Sequence, residues 1–217
     1  MVEVLYEDNH LVIVNKRSGD ISQGDKTQDE PLSDKVKAYI KNKYNKPGDV
    51  FLGTVHRLDR PVSGAIVFAR TSKALTRMNK MFQDKQVQKT YWALCEKEPN
   101  SKSGTLIHHL LKDEQKNKTR AFPNEIKNSK RAELVYKLIK PKNENFLIEV
   151  KPLTGRPHQI RVQLSSIGCV IVGDLKYGAK KPNSDKSICL HARKVEFIHP
   201  VSKEQISVIA PLPKKHW

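Results

Sequence analysis

The chain has 217 residues, with 40 Lys+Arg against 23 Asp+Glu and a formal charge of +17. That length suits one domain with a proper buried core, and the charge points to a polyanionic partner such as nucleic acid rather than to an acidic protein substrate. No apolar run approaches the roughly 18 residues needed to span a bilayer, and the basic residues are scattered rather than gathered on one amphipathic helix, which argues against a membrane.

Met1–Asp8 carries acidic residues where a secretory signal would need a basic flank and a long apolar region, so the expected location is the cytoplasm. Val2–Tyr6 and Leu11–Lys16 read as two strands joined at Asp8-Asn9, the second buried on both faces. Ile21–Pro31 has loop composition and is expected to be mobile. Ser33 is placed to cap a helix with Val36, Tyr39, Ile40 and Tyr44 on its apolar face and a row of lysines opposite.

The stretch Gly53–Gly64 sets one carboxylate, Asp59, between Arg57 and Arg60, three residues after His56. Neighbouring positive charge favours the ionised carboxylate, and Pro61 and Gly64 suit a tight loop that holds one side chain in a fixed pose. The same pattern fits an ion-paired surface turn. Ala65–Arg70 follows as a continuous apolar strand, so the loop feeds straight into a sheet. Thr71 or Ser72 can cap the next helix, whose Leu75, Met78, Met81 and Phe82 form a core stripe. Val87–Cys95 is a strand in which Tyr91 and Trp92 point to opposite faces.

Thr105–Leu111 reads as a strand, and residues 112–130 as a charged excursion, either a loop touching RNA or a long connection. His108 and His109 are sequential on a strand, face opposite ways, and cannot share a metal without distortion. Arg131–Ile139 and Asn145–Lys151 read as an antiparallel pair turned at 141–144. In Leu153–Leu164, Gly155 supplies a turn and Pro157 fits the first turn of a helix, so Arg156, His158 and Arg161 converge on a corner suited to an anion, unless the arginines merely face solvent. Cys169–Asp174 reads as a short buried strand, and Ile188–Phe197 with Gln205–Ala210 as the closing pair, hinged at His199-Pro200. Cys95, Cys169 and Cys189 are odd in number and set in apolar surroundings, as reduced core thiols would be. No repeat or linker argues for a second domain, so residues 1–217 are expected to form one.

Taken together, His56–Gly64, Lys89-Thr90-Tyr91, Leu153–Arg161, Val172-Gly173-Asp174 with Tyr177-Gly178, Leu190-His191-Ala192 and His199-Pro200 resemble, in order, the RluA-type pseudouridine synthases. The resemblance runs from Tyr6 to Pro213. It implies an α+β fold with a mixed, largely antiparallel central sheet, flanking helices and a central cleft, and cofactor-free isomerisation of uridine to pseudouridine in RNA. Ribosomal and transfer RNA are both open as substrates, no metal is expected, and a monomer is the default for a basic RNA enzyme of this size. By position it makes Asp59 the catalytic aspartate, Tyr91 the aromatic that stacks on the target base, and Arg161 the partner of Asp59. Arg57 would help to hold the flipped nucleotide, and His56, Arg60, Arg156, His158 and Gln159 would complete the substrate contacts. Two positions depart from the usual pattern: Arg17 stands where proline is common and Val62 where threonine is frequent. Many relatives also carry a small RNA-binding domain before the catalytic one, for which this chain is expected to have no room. Two other classes stay open on the residues alone, an RNA-binding module that does no chemistry and a metal-dependent nuclease, and the lack of a ligand cluster speaks against the second.

Overall fold

The computed structural model describes residues 2–24 and 28–217. Part of the expected mobile loop, residues 25–27, therefore lies outside the described residues. In chain order the elements are β1 (Val4–Glu7), β2 (Leu11–Lys16), α1 (Leu32–Lys43), β3 (Gly53–Thr54), β4 (Ser63–Ala69), α2 (Ser72–Gln83), β5 (Gln88–Cys95), β6 (Ser103–Asp113), β7 (Lys118–Phe122), β8 (Lys130–Lys142), β9 (Asn145–Pro152), α3 (Gln159–Ser166), β10 (Leu190–Ile198) and β11 (Gln205–Ile209), with a 3-10 turn at Leu175–Tyr177. This is an α+β chain, as the motifs imply. Among the described residues no helix is long and apolar enough to cross a membrane.

The chain divides into two compact units. The first comprises Met1–Lys89 and Ala192–Pro213, the second Thr90–His191 and Lys214–Trp217. In the first, β2 pairs antiparallel with β1 and β4, β3 lies along the end of β4, and β10 pairs with β11. All seven residues of β4 are buried, as expected of a continuous apolar strand. Leu11, Ile13, Val67, Met78, Val195 and Phe197 share one core, against which Leu75, Met81 and Phe82 of α2 pack. Thr71 Oγ1 caps α2 by accepting the Ala74 N–H at 3.1 Å. The expected cap of α1 is not made: the helix starts at Leu32 behind Pro31, and Ser33 is buried inside its first turn. What docks α1 is the carboxylate of Glu7 on β1, which receives Tyr39, Lys43, Tyr44 and Arg70 at 2.7–3.0 Å.

In the second unit β5, β9, β8, β6 and β7 pair antiparallel in that order, with β7 on the outside. The β8–β9 hairpin closes tightly between Lys142 and Asn145, where Asn143 takes the left-handed conformation at φ 54°. Two expectations are corrected here. The charged excursion 112–130 contains a strand, β7, whose Thr119 turns inward while Lys118 and Arg120 stay exposed. The apolar run Cys169–Asp174 forms only an isolated bridge, Cys95 to Ile171, because Gly168 and Gly173 turn the chain at either end with φ of 79° and 84°. All three cysteines are free and buried, and burial raises each thiol above its ordinary value.

Candidate active site in two parts

The first unit holds the loop that carries Asp59. Its rear is anchored by Lys16, which ends β2 with no exposed surface. The Lys16 ammonium donates to three backbone carbonyls, those of Arg17 at 3.1 Å, Arg60 at 3.1 Å and Val62 at 2.7 Å, and so uses all three of its donors. Two of these carbonyls belong to residues just after Asp59. Burial pushes the ammonium down to about 8, while Asp20 and Asp59 pull it back up. A turn closes from Val62 N–H to Asp59 carbonyl at 3.0 Å, and Gly19 N–H donates to the Arg60 carbonyl at 2.9 Å. On the entering side Leu58 is buried, and its N–H and C=O both bond the Ser22 hydroxyl.

Gly64 is required where the loop enters β4. Its φ is 117°, and a Cβ there would lie 2.4 Å from the Ala192 carbonyl oxygen and 2.6 Å from its nitrogen. The two departures from the family pattern leave this frame intact: Arg17 is exposed and Val62 buried, and each offers its carbonyl to Lys16.

Of the other residues singled out on this loop, Arg57 is exposed, and Arg60 is exposed and paired with Asp29 at 2.5 Å. His56 accepts the Val67 N–H on Nε2 at 3.0 Å and stacks on Phe82 at 4.9 Å, and the Lys89 ammonium lies 5.7 Å from the centre of the same Phe82 ring. Burial, and the Lys89 charge after it, push His56 down to about 3, so it stays neutral. This histidine braces the loop against α2 and β4.

The second unit holds Tyr91 and the corner around Arg161. Tyr91 is buried on β5 opposite Val150 of β9. Arg161, on α3, is 5% exposed and grips Asp174 with two parallel bonds, Nε to Oδ2 at 2.7 Å and Nη2 to Oδ1 at 2.8 Å. Its guanidinium lies 5.0 Å from the centre of the Tyr177 ring. The Tyr177 hydroxyl accepts the Thr119 N–H at 2.9 Å and shares a hydrogen bond with His158 Nδ1 at 2.8 Å, whose direction follows the imidazole tautomer. Burial raises the Tyr177 phenol, which keeps it protonated.

The start of α3 differs from the expected geometry. Pro157 precedes the helix, and His158 is its N-cap in the left-handed conformation at φ 53°, with no side-chain cap. Gln159 is an internal brace: Oε1 accepts from Thr154 and from the Arg156 N–H, and Nε2 donates to the Glu133 carbonyl. Arg156 reaches the Arg131 carbonyl at 3.1 Å. Lys16, Asp174 and Tyr177 were not foreseen as site residues. The available signals were a lysine ending an otherwise apolar strand and an aspartate three residues before a tyrosine.

No group of three or more His, Cys, Asp or Glu side chains able to hold a metal occurs among the described residues. His108 is engaged through Nδ1 with Gln163 at 3.1 Å. The first unit offers a carboxylate on a fixed loop, a group suited to nucleophilic or general-base chemistry, and the second offers a buried aromatic and an oriented guanidinium.

The family whose sequence model matches residues 10–166 is described as RNA pseudouridylate synthase. Ribosomal large subunit pseudouridine synthase C of Vibrio cholerae is 32% identical over 215 residues, covering 96% of this chain and 65% of that protein. Its counterpart in Buchnera aphidicola subsp. Schizaphis graminum is 34% identical, covering 96% and 67%. The Bacillus subtilis protein named uncharacterized RNA pseudouridine synthase YhcT is 32% identical, covering 98% and 69%. The chain spans about 65% of the length of the first curated relatives it matches. Among solved structures, human RNA pseudouridylate synthase domain containing 4 aligns with a TM-score of 0.81 at 24% identity, covering 98% of this chain and 89% of that one, and human domain containing 1 with 0.73 at 23%, covering 98% and 84%. These two likenesses concern the fold. The match over residues 10–166 takes in the Asp59 loop, Tyr91 and Arg161 alike, and the chain belongs to the RNA pseudouridylate synthase family.

Proposed function

We propose that the protein isomerises uridine to pseudouridine in structured RNA, with ribosomal RNA the first candidate and transfer RNA the second, and that it acts as a monomer. The reaction is internal to one nucleotide. The bond from C1′ of the ribose to N1 breaks, a bond from C1′ to C5 forms, and the hydrogen lost from C5 is balanced by one gained at N1. No electrons leave or enter, so the chemistry asks for no cofactor. It asks for a carboxylate that is ionised near neutral pH, a face on which the base can turn, and release of the base from its stack.

In this reading Asp59 is the nucleophile or general base, Arg161 pairs with it during the reaction, and Tyr91 stacks on the flipped uracil. Arg57, Arg156 and His158 contact the nucleotide and its phosphates, while the overall charge of +17 supplies affinity that does not depend on sequence. The observation that carries the reading is the Lys16 anchor. A buried ammonium spent wholly on backbone carbonyls, two of them in the Asp59 loop, is a costly way to build an ordinary surface turn, and a direct way to hold one carboxylate still. The names of the curated relatives favour ribosomal RNA as the substrate.

The test is a map of pseudouridines in large-subunit ribosomal RNA and in transfer RNA from cells with and without the protein. At least one site should vanish without the protein and return with the wild-type chain but not with Asp59→Ala. Identical maps would reject the assignment.

A further inference from the structure

Between β7 and the 3-10 turn Leu175–Tyr177 lies an open groove of about 530 Å³. It is within the usual range for a small-molecule site and has room for one nucleotide. Its lining includes Lys118, Arg120 and Lys176, together with Phe122 and Leu175, and contains no carboxylate. Leu175 is 56% exposed, the most open of the large apolar side chains among the described residues. Apolar surface left open beside three cations is poor design for a solvated edge and a good match to a base with its phosphates.

The floor of the groove is rigid. Tyr177 is buried there and holds the β7 backbone through Thr119 N–H, while the Lys118 ammonium stands 5.6 Å from its ring. Lys176 is steadied by a bond to the Asn117 carbonyl at 2.9 Å. The same Tyr177 lies under Arg161 and bonds His158, so the groove shares a wall with the candidate catalytic corner.

We propose that this groove is a second nucleotide subsite, which takes an unpaired residue of the RNA with its base against Phe122 and Leu175 and its phosphates against Lys118, Arg120 and Lys176. The inference rests on the RNA reading above and adds to it where the strand runs beyond the target uridine. A duplex cannot present a base to the groove, so the subsite selects RNA that is single-stranded on that flank.

The test is binding, which does not need turnover. The full chain is titrated with a twelve-residue oligouridylate and with a duplex RNA of the same length, across a range of salt. Arg120→Ala with Lys176→Ala should weaken oligouridylate binding about tenfold and lower its log–log salt slope by about 1.4, at roughly 0.7 per phosphate contact on a single strand. Phe122→Leu, which keeps apolar volume and removes the aromatic face, should cost about fivefold or more on the oligouridylate. Duplex binding should change less than the oligouridylate in both variants. Lys97→Ala with Lys102→Ala, the same charge change on exposed lysines of the β5–β6 turn, should leave the preference for single strands unaltered. Equal losses on both RNAs, the same loss from the Lys97 and Lys102 pair, or unchanged affinity would each overturn the subsite. A wild-type protein that shows the groove effect but converts no uridine would overturn the isomerase reading and leave the groove standing.

Discussion

The Asp59 loop and the Arg161 corner are held by opposite means. The loop is fixed through its backbone, with one buried ammonium and one serine hydroxyl bonding the main chain on either side of Asp59, so its side chains need do little to shape it. The corner is fixed through its side chains, in a chain of contacts running from Asp174 to Arg161 to Tyr177 to His158 and Thr119. A loop built the first way tolerates replacement of its outward residues and fails when its buried anchors go. A corner built the second way should respond to every member, and non-additively, because each contact positions the next.

That contrast can be broken at several points. Asp59→Asn should have the largest effect on activity, a loss of about 10⁴-fold or more if the carboxylate is the attacking or proton-accepting group. Asp174→Ala should be the most destabilising change in the corner, by about 3–5 kcal/mol in denaturant unfolding, since it strands a buried guanidinium. Asp174→Asn should cost less and still depress activity by letting Arg161 drift.

Lys16→Met should cost about 3 kcal/mol by leaving loop carbonyls unpartnered, and its signature lies in pH. The native ammonium sits near 8, below the 10.5 of an ordinary lysine. Between those values the unfolded chain binds more protons than the native one, so wild-type stability should rise with pH there. Activity should move the other way, falling through about pH 8 as a neutral amine with two N–H groups faces three carbonyls. Lys16→Met should lose both trends, and an alkaline profile identical to wild type would count against the anchor.

Smaller effects sharpen the comparison. Tyr177→Phe leaves the Thr119 N–H without its acceptor and should cost about 1–3 kcal/mol. Its effect on activity should not add to that of Asp174→Asn in a double-mutant cycle. Arg60→Ala removes an exposed pair with Asp29 and should shift stability by less than about 1 kcal/mol. A larger loss would mean that the loop depends on its side chains after all.

The same contrast explains what could be seen in the sequence. The loop was legible because its chemistry is local: His56, Arg57, Asp59 and Arg60 stand together and run into a fully buried strand. Lys16 was hidden because a lysine at the end of a strand looks like a solvated terminus, and only the fold shows it turned inward. In the corner, Arg161 was legible from its motif. Its grip on Asp174 was not, since the two lie 13 residues apart across a helix end and a bend that no periodicity describes. Strand β7 escaped notice because only Thr119 and Ala121 of its five residues turn towards the core, beneath a surface of cations. Cys169–Asp174 misled in the reverse sense: Cys169 and Ile171 are buried as expected while Val170 and Val172 are half-buried, and an apolar run alone does not specify a ladder.

The most direct measurement uses large-subunit ribosomal RNA transcribed in vitro with tritium at C5 of uridine and incubated with purified protein. Joining C5 to the ribose must expel the label into water. Stoichiometric release at one or a few sites is expected from the wild-type protein and none from Asp59→Asn at equal RNA occupancy. Release that persists in Asp59→Asn would contradict the role given to Asp59.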